Sequence, residues 1–551
     1  MRIRDLTVAA LAFVAAGAVA QAPSKPAEPG WRPFNLGTYH RAVSTADRGA
    51  QLAFDQGLNW SFAFNHEEAE KAFREAARLD PRLAMAWWGV ALVNGPHINN
   101  PVVDEAHAKA AWEALGEAKR RAEGASDVEK ALIEALGARY ALPQPEDRKP
   151  LDEAYATAMG SVRSRFPKDA DVAALYAEAL MDVHPWDQWT SDGKARPGTQ
   201  EILDAIEAAL ALSPRNPLAL HMKIHALEAS PHPENAREAA DLLKNLVPDS
   251  SHLVHMPAHI YARVGGWREA AAANERALAA DKRYNARVPK FGFYHVYEAH
   301  NAHFLGFTAE MEGRKAVALE TTKAAVDGLD PAFLKENAML ADWFTTVYWE
   351  AQMRFGMWEE LLKTPEPPDY LPVSRAYRLF LRGVAQAALG HVGEAESERA
   401  ALTEAVKKVP KEFLFGTNAA ADVLGVCEPY LDGEIAYRKG DFDAAIAKLR
   451  EAATREDALK YDEPPDMTVP TRHALGAVLL AAGRPQDAEA VYREDLVRYP
   501  ENGWSLQGVA RALRAQKKAK EADAFDARFR KAWSRADVAV ASSCLCVKPG
   551  S

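Results

Sequence analysis

The stretch QLAFDQGLNWSFAFNHEEAEKAFREAARLDP, residues 51–81, decides how the rest of the chain is read. With Ala50 as position 1, Gly57 falls at 8, Trp60 at 11, Ala69 at 20, Phe73 at 24, Ala76 at 27 and Pro81 at 32. Small residues at 8 and 20 let two paired helices approach closely, aromatic rings fill the gap between them, and a proline ends the second helix. The stretch therefore predicts a helical hairpin, one unit of an array in which each hairpin buries its apolar face against its neighbours.

The frame recurs along the chain. Pro214, Pro248 and Pro500 occupy position 32 of further copies, and Gly440, Phe442 and Ala445, or Gly483, Ala488 and Tyr492, mark the turn and second helix of others. Strand signals are nearly absent, and the spacing is roughly 34 residues. On these residues the chain resembles the tetratricopeptide repeat (TPR) family over nearly all of its mature length. The resemblance implies an all-α, right-handed superhelical solenoid of about nine to eleven repeats. Insertions interrupt the frame around residues 95–110, 140–150, 184–200, 285–298 and 460–468.

Five segments are also similar to a group of exported bacterial TPR proteins without an established activity: HMPAHIYARVGGWREAAAANERALAAD (255–281), EAHNAHFLGFTAEMEGR (298–314), RFGMWEELL (354–362), HPWDQWTSDGKARPGTQEI (184–202) and YPENGWSLQGVARALRAQ (499–516). That likeness implies a fold and a location but no reaction.

The N-terminal residues MRIRDLTVAALAFVAAGAVAQA carry Arg2 and Arg4, an apolar run, and a small-x-small pattern at Ala18-Val19-Ala20. They read as a secretory signal over residues 1–20, and the apolar run is well short of the roughly 20 residues that a membrane span needs. The expected organisation is a signal (1–20), a linker (21–45), a solenoid (46–535) with histidine-rich repeats at 217–332, and a tail (536–551), in a periplasmic or secreted protein. Net charge is -10, with both signs interspersed and no long basic run, so there is no electrostatic footprint for nucleic acid or an anionic membrane. Small molecules, peptides, metals and proteins remain as partners. Three cysteines cannot form a disulfide framework. Cys544 and Cys546 make a C-x-C that can hold a soft metal, although a disordered tail is the favoured reading.

Nine of the sixteen histidines lie between residues 221 and 303. With Pro217 as position 1, His221, His225 and Glu228 fall at 5, 9 and 12; with Ser251, His252, His255 and His259 fall at 2, 5 and 9; with Ala299, His300 and His303 fall at 2 and 5. Within the resembled family these positions line the concave groove, which places all eight residues on one wall. Helical geometry agrees, since at about 100° per residue 252, 255 and 259 share one arc, and so do 221, 225 and 228. Pro257 should kink or open the helix that carries His259.

Clustered imidazoles repel one another when protonated, which favours the neutral form and a bound cation. The predicted ligand set is therefore His221, His225, Glu228, His252, His255, His259, His300 and His303, for copper, zinc or iron, with one or two ions and some residues acting as orienters. Such a site would serve binding or metal-dependent chemistry. The alternative is a metal-free scaffold that takes a small molecule, peptide or protein into the groove, which Trp343, Glu350, Tyr430 and Glu434, together with Thr346 and Cys427, would extend. HPWDQW, residues 184–189, lies in an insertion and reads equally as a lid over the groove or as loop packing of its two tryptophans, and NGPHINNP around His97 reads as a structural turn. No zinc-protease motif, phosphate-binding glycine loop, dinucleotide fingerprint or haem-attachment motif occurs, so neither nucleotide nor haem is expected.

Overall fold

The computed structural model describes residues 31–288, 294–540 and 542–547. The expected signal over residues 1–20 lies outside the described residues. Among those described, the protein is all-α apart from a minimal hairpin pairing Leu414–Phe415 with Asn418–Ala419, and no helix is long and apolar enough to cross a membrane.

Two compact units divide the chain. One holds the described residues up to 260 and those of 276–298; the other holds 261–275 and those from 299 onward. In the first unit Arg48–Phe62 pairs with His66–Leu79, Ala84–Val93 with Glu105–Arg121, and Ala170–Val183 with Thr199–Leu212. In the second, Pro372–Leu389 pairs with Val392–Val406, Ala420–Arg438 with Phe442–Asp457, Thr471–Ala481 with Pro485–Arg498, and Gly503–Ala515 with Ala519–Ala532. Side-chain oxygens cap many of these helices. Asp47 accepts from the Ala50 amide, Asn65 from Glu68 and Asn502 from Ser505.

The repeat frame has a direct steric basis. A Cβ added at Gly57 would stand 2.6 Å from the Phe73 ring, and one at Gly433 2.6 Å from the Leu449 side chain. Gly306 against Thr322 and Gly476 against Tyr492 are equally tight. Each glycine is at position 8 of its repeat and each partner at position 24. The next repeat closes on the same rings from the other side, Gly89 on Phe73 and Gly508 on Tyr492, each at 2.5 Å from a would-be Cβ. A hydrogen in place of a side chain lets the second helix of one repeat wedge its large residue between two first helices. The helical-repeat class is thus built into four glycine–partner pairs.

The expected open groove is instead filled. Trp343, Glu350, Tyr430 and Glu434 are all buried, as are Thr346 and Cys427. Segments between the paired helices do the filling: the 414–419 hairpin lays Phe415 on Trp343 at 5.4 Å between ring centroids, and Thr468 lies 3.5 Å from a Glu350 carboxylate oxygen. Insertions that look like excursions in sequence fold onto the first-helix faces and remove them from solvent.

The C-terminal segment also departs from the disordered tail expected. Ser542, Ser543, Cys544, Cys546 and Val547 are buried in the second unit. Trp533 Nε1 donates to the Val538 carbonyl and Gln507 Nε2 to that of Val540. The Ser543 hydroxyl donates to the His473 carbonyl at 2.7 Å and meets Tyr492 Oη at 2.6 Å. Arg354, stacked 3.9 Å over Trp504, donates to the Ser543 carbonyl. The tail is short and polar in composition, but its backbone answers buried donors that the helices leave open, and this ordering is not visible in a local pattern.

Two further features position the rest. Pro257 divides the expected helix into Ser251–His255 and Pro257–Arg263, with Met256 between them. In the second unit the chain passes Pro500 at Gly265, whose φ of +78° and whose would-be Cβ, 2.8 Å from the Pro500 carbonyl oxygen, admit only glycine, and Trp267 Nε1 donates to that same carbonyl at 2.8 Å.

Candidate metal centre

Local sequence sets the two short helices that carry the centre. Asn216 caps the helix Pro217–Glu228 by accepting from the Ala219 amide, and Pro217 fits its first turn, where no donor is needed. Ser250 caps Ser251–His255 in the same way. His221 and His225 then stand one turn apart on one helix, with His252 opposite on the other.

Three imidazole nitrogens converge. His225 Nε2 lies 3.0 Å from His221 Nε2, and His252 Nε2 lies 3.1 Å from it. Four tetrahedral nitrogens bound at about 2.05 Å to one ion stand roughly 3.3 Å from each other, so this spacing is close to that of a coordination shell. A second pair follows, His255 Nε2 and His259 Nε2 at 2.7 Å. All five rings are buried.

The other ring nitrogens show how these are aimed. His221 Nδ1 lies 2.8 Å from the Phe62 carbonyl, which can only accept, so Nδ1 carries the hydrogen and Nε2 presents a lone pair. Glu228 does the same twice, with one oxygen 2.7 Å from His225 Nδ1 and the other 2.7 Å from His259 Nδ1. The H-x-x-E spacing of His225 and Glu228 therefore makes a ring-orienting contact, the usual partner of a metal-bound histidine. In neutral rings, His221 and His225 then meet lone pair to lone pair.

Electrostatics sharpen the conflict. Burial and the His225 charge hold His221 well below its ordinary value, and burial lowers His225 despite Glu228 beside it. Burial pushes the Glu228 carboxyl up, but His259 and His225 outweigh it and leave the group at about 2. The centre is thus a set of rings that burial disposes to the neutral form around one buried carboxylate, an arrangement that could hold a cation.

Residues that the repeat frame does not place pack around it. Phe64, held at a φ of +56°, sits 4.6 Å from His221 and stacks on His97 at 4.2 Å. His66 meets His97 edge-on at 4.6 Å. Trp186, at φ +59°, meets His225 edge-on at 4.9 Å and donates from Nε1 to the Ile98 carbonyl. HPWDQW thus reaches the centre through Trp186. Tyr297 covers His252 at 4.1 Å and receives a hydrogen bond from Asn99. Left-handed backbone at non-glycine residues costs about 1–3 kcal/mol each, and two such residues touch this centre. The usable signals were the aromatic-histidine loops at 64–66 and 97.

The remaining predicted residues belong to the second unit. His303 is buried between Trp343 and Phe344, neither of its ring nitrogens has a hydrogen-bond partner among the described residues, and burial drives it to about 3. His300 is half-buried with its ring 6.0 Å from Phe304. Glu350 accepts from Tyr377 and is raised to about 8 by burial, then by Glu310. Glu434 is raised to about 7 by burial, and its Oε1 lies 3.0 Å from Cys546 Sγ.

The sequence matches no protein-family model and no curated protein. Among solved structures it is similar to human IFIT1 in a dimer with m7Gppp-AAAA, at 14% identity over 90% of this chain and 91% of that one, with a TM-score of 0.33. Cut9 in the APC/C hetero-tetramer Cut9-Hcn1 matches at 13% identity over 89% and 74%, TM-score 0.29, and yeast Tom70 at 12% over 88% and 91%, TM-score 0.25. Likeness at this level carries no ligand or partner across.

Proposed function

We propose that the first unit binds a divalent transition metal through the Nε2 atoms of His221, His225 and His252, with Glu228 fixing the ring of His225 from behind. One observation carries this reading: three buried Nε2 atoms converge at 3.0 and 3.1 Å, and the Nδ1 partners of two of them leave no proton to separate them. Imidazole donors suit zinc, copper and iron rather than calcium or magnesium. Three protein ligands leave a coordination position for water or a small ligand, the arrangement of metal sites that do chemistry. Export, expected from residues 1–20, is part of the proposal. Recognition of a peptide along an open groove is the weaker reading, because the residues that would line it are buried.

Elemental analysis of untagged protein, before and after chelation and reloading, tests the proposal. The expected result is about one equivalent of metal, lost in a His221→Ala, His225→Ala variant that keeps its helical circular dichroism. Absence of stoichiometric metal after reconstitution would sink it.

A further inference from the structure

The second unit contains another convergence of ligand atoms, built from parts that lie far apart in sequence. Glu434 stands on the helix Ala420–Arg438, and the buried tail brings Cys544 and Cys546 to it. One carboxylate oxygen and both sulfurs lie within 4.8 Å of one another, and Glu434 Oε1 is 3.0 Å from Cys546 Sγ. All three residues are buried.

In the structure the two sulfurs are bonded to each other. A disulfide sulfur has no hydrogen to give, so with Glu434 ionised Cys546 Sγ and Glu434 Oε1 face each other as two acceptors. The second oxygen, Glu434 Oε2, has no hydrogen-bond partner among the described residues, and neither has Tyr430 Oη, one turn earlier on the same helix. Buried polar atoms without a partner are rare, and the carboxylate oxygen is one that a donor or a cation would satisfy. The tail is held in place independently of the sulfurs, through Ser543 on Tyr492 and His473, and through Arg438, which donates to the Cys546 carbonyl. The Cys546 amide donates to Cys544 Sγ at 3.2 Å, a bond that favours a charged sulfur.

We infer that the reduced tail, with Glu434, forms a binding site for a thiophilic divalent cation of the zinc class. Reduction takes two electrons and two protons from a dithiol, which becomes a disulfide in its place; one S–S bond breaks and two S–H bonds form. The cation then displaces both thiol protons to solvent and takes the two thiolates and the Glu434 carboxylate as ligands. Two thiolates and one carboxylate suit zinc or cadmium and disfavour magnesium and calcium. The site is chemically distinct from the imidazole centre, and the two stand or fall separately.

Cadmium is the probe, because its bond to thiolate gives an ultraviolet charge-transfer band that imidazole ligands do not. Full-length protein, reduced with excess dithiol and desalted without oxygen, should gain two titratable thiols and then develop the band within two equivalents of cadmium, one for each centre. Cys544→Ser with Cys546→Ser should abolish the band, whereas Cys427→Ser and His221→Ala with His225→Ala should keep it. Glu434→Gln, which preserves shape, should weaken cadmium binding at least about tenfold. The proposal is overturned if the dithiol releases no thiols, if the reduced protein shows no band, if the band persists in the double serine variant, or if Glu434→Gln binds as tightly as the parent. Helical circular dichroism of Glu434→Gln confirms that its weakened binding is not unfolding.

Discussion

His221 and His225 present Nε2 to Nε2 across 3.0 Å, each with its Nδ1 turned to an acceptor. A cation between them removes a repulsion that the metal-free protein must carry, so binding should appear as stability. At a free concentration one hundred times the Kd, a ligand that binds only the folded state adds about 2.7 kcal/mol. For domains of this size that is a rise in melting temperature of roughly 5–10 °C. Calorimetry with zinc and with chelator should differ by about this amount, and coincident melts would count against the centre.

Glu228 ties two rings with its two oxygens, so it should matter more than a single contact would. Glu228→Gln keeps the shape but puts an NH2 against one of two Nδ1–H groups. Metal affinity should fall about 10–100-fold with helix content retained. Competition against a chromophoric chelator measures it, and an unchanged Kd would exclude the orienting role.

His303 gives the acid limb of stability. Its folded value is about 3, while a histidine in the unfolded chain titrates near 6.5. Between these values the unfolded state takes up the proton first, so stability is full above about 6.5 and falls as pH drops toward 3. His303→Leu removes both this loss and two ring nitrogens that have no hydrogen-bond partner among the described residues. Urea melts at pH 4 and 7 should show a variant as stable as the parent or more so, by about 1–3 kcal/mol at the lower pH. A destabilised His303→Leu would mean the ring has a partner that matters.

Glu310 should shape the alkaline side. It is buried, its Oε2 has no hydrogen-bond partner among the described residues, and burial raises it to about 8. A raised carboxyl stabilises the fold fully below its unfolded value of about 4.3, and the contribution is lost as pH climbs through about 8. Glu310→Gln should flatten that decline. Denaturant midpoints at pH 6 and 9 should differ less in the variant than in the parent.

Phe73 is pinched between Gly57 and Gly89. Phe73→Ala should cost about 3–5 kcal/mol through the cavity it leaves, and Gly57→Val should also destabilise, because the ring has nowhere to go. Chemical denaturation of the two variants checks both; tolerance of valine would show that the helices can part.

How much of this was legible follows the same division. The Gly57–Phe73 contact joins positions 8 and 24 of one repeat, sixteen residues apart, so a local frame predicts it. His221, His225 and Glu228 were legible for the same reason, being one face of one helix. Phe64 and His97 were not, because they reach the centre from loops whose paths no periodicity encodes, and Trp186 was visible only as part of HPWDQW, with no partner assigned. The burial of Glu350 and Glu434 was misread as groove exposure, since the covering residues Thr468 and Cys546 are more than 100 positions away. The tail was misread because its order comes from Arg354 and Tyr492, residues that need its carbonyl and hydroxyl.

Trp267 donates to the Pro500 carbonyl across 233 residues of chain. On a ribosome adding about 5–20 residues per second, that partner arrives roughly 10–50 s after the tryptophan does. During this interval Phe307, 5.6 Å from the Trp267 ring, has already been made, but the Pro500 carbonyl has not. Biogenesis of the second unit therefore includes a wait in which the Trp267 indole N–H is without the acceptor that it has in the finished fold.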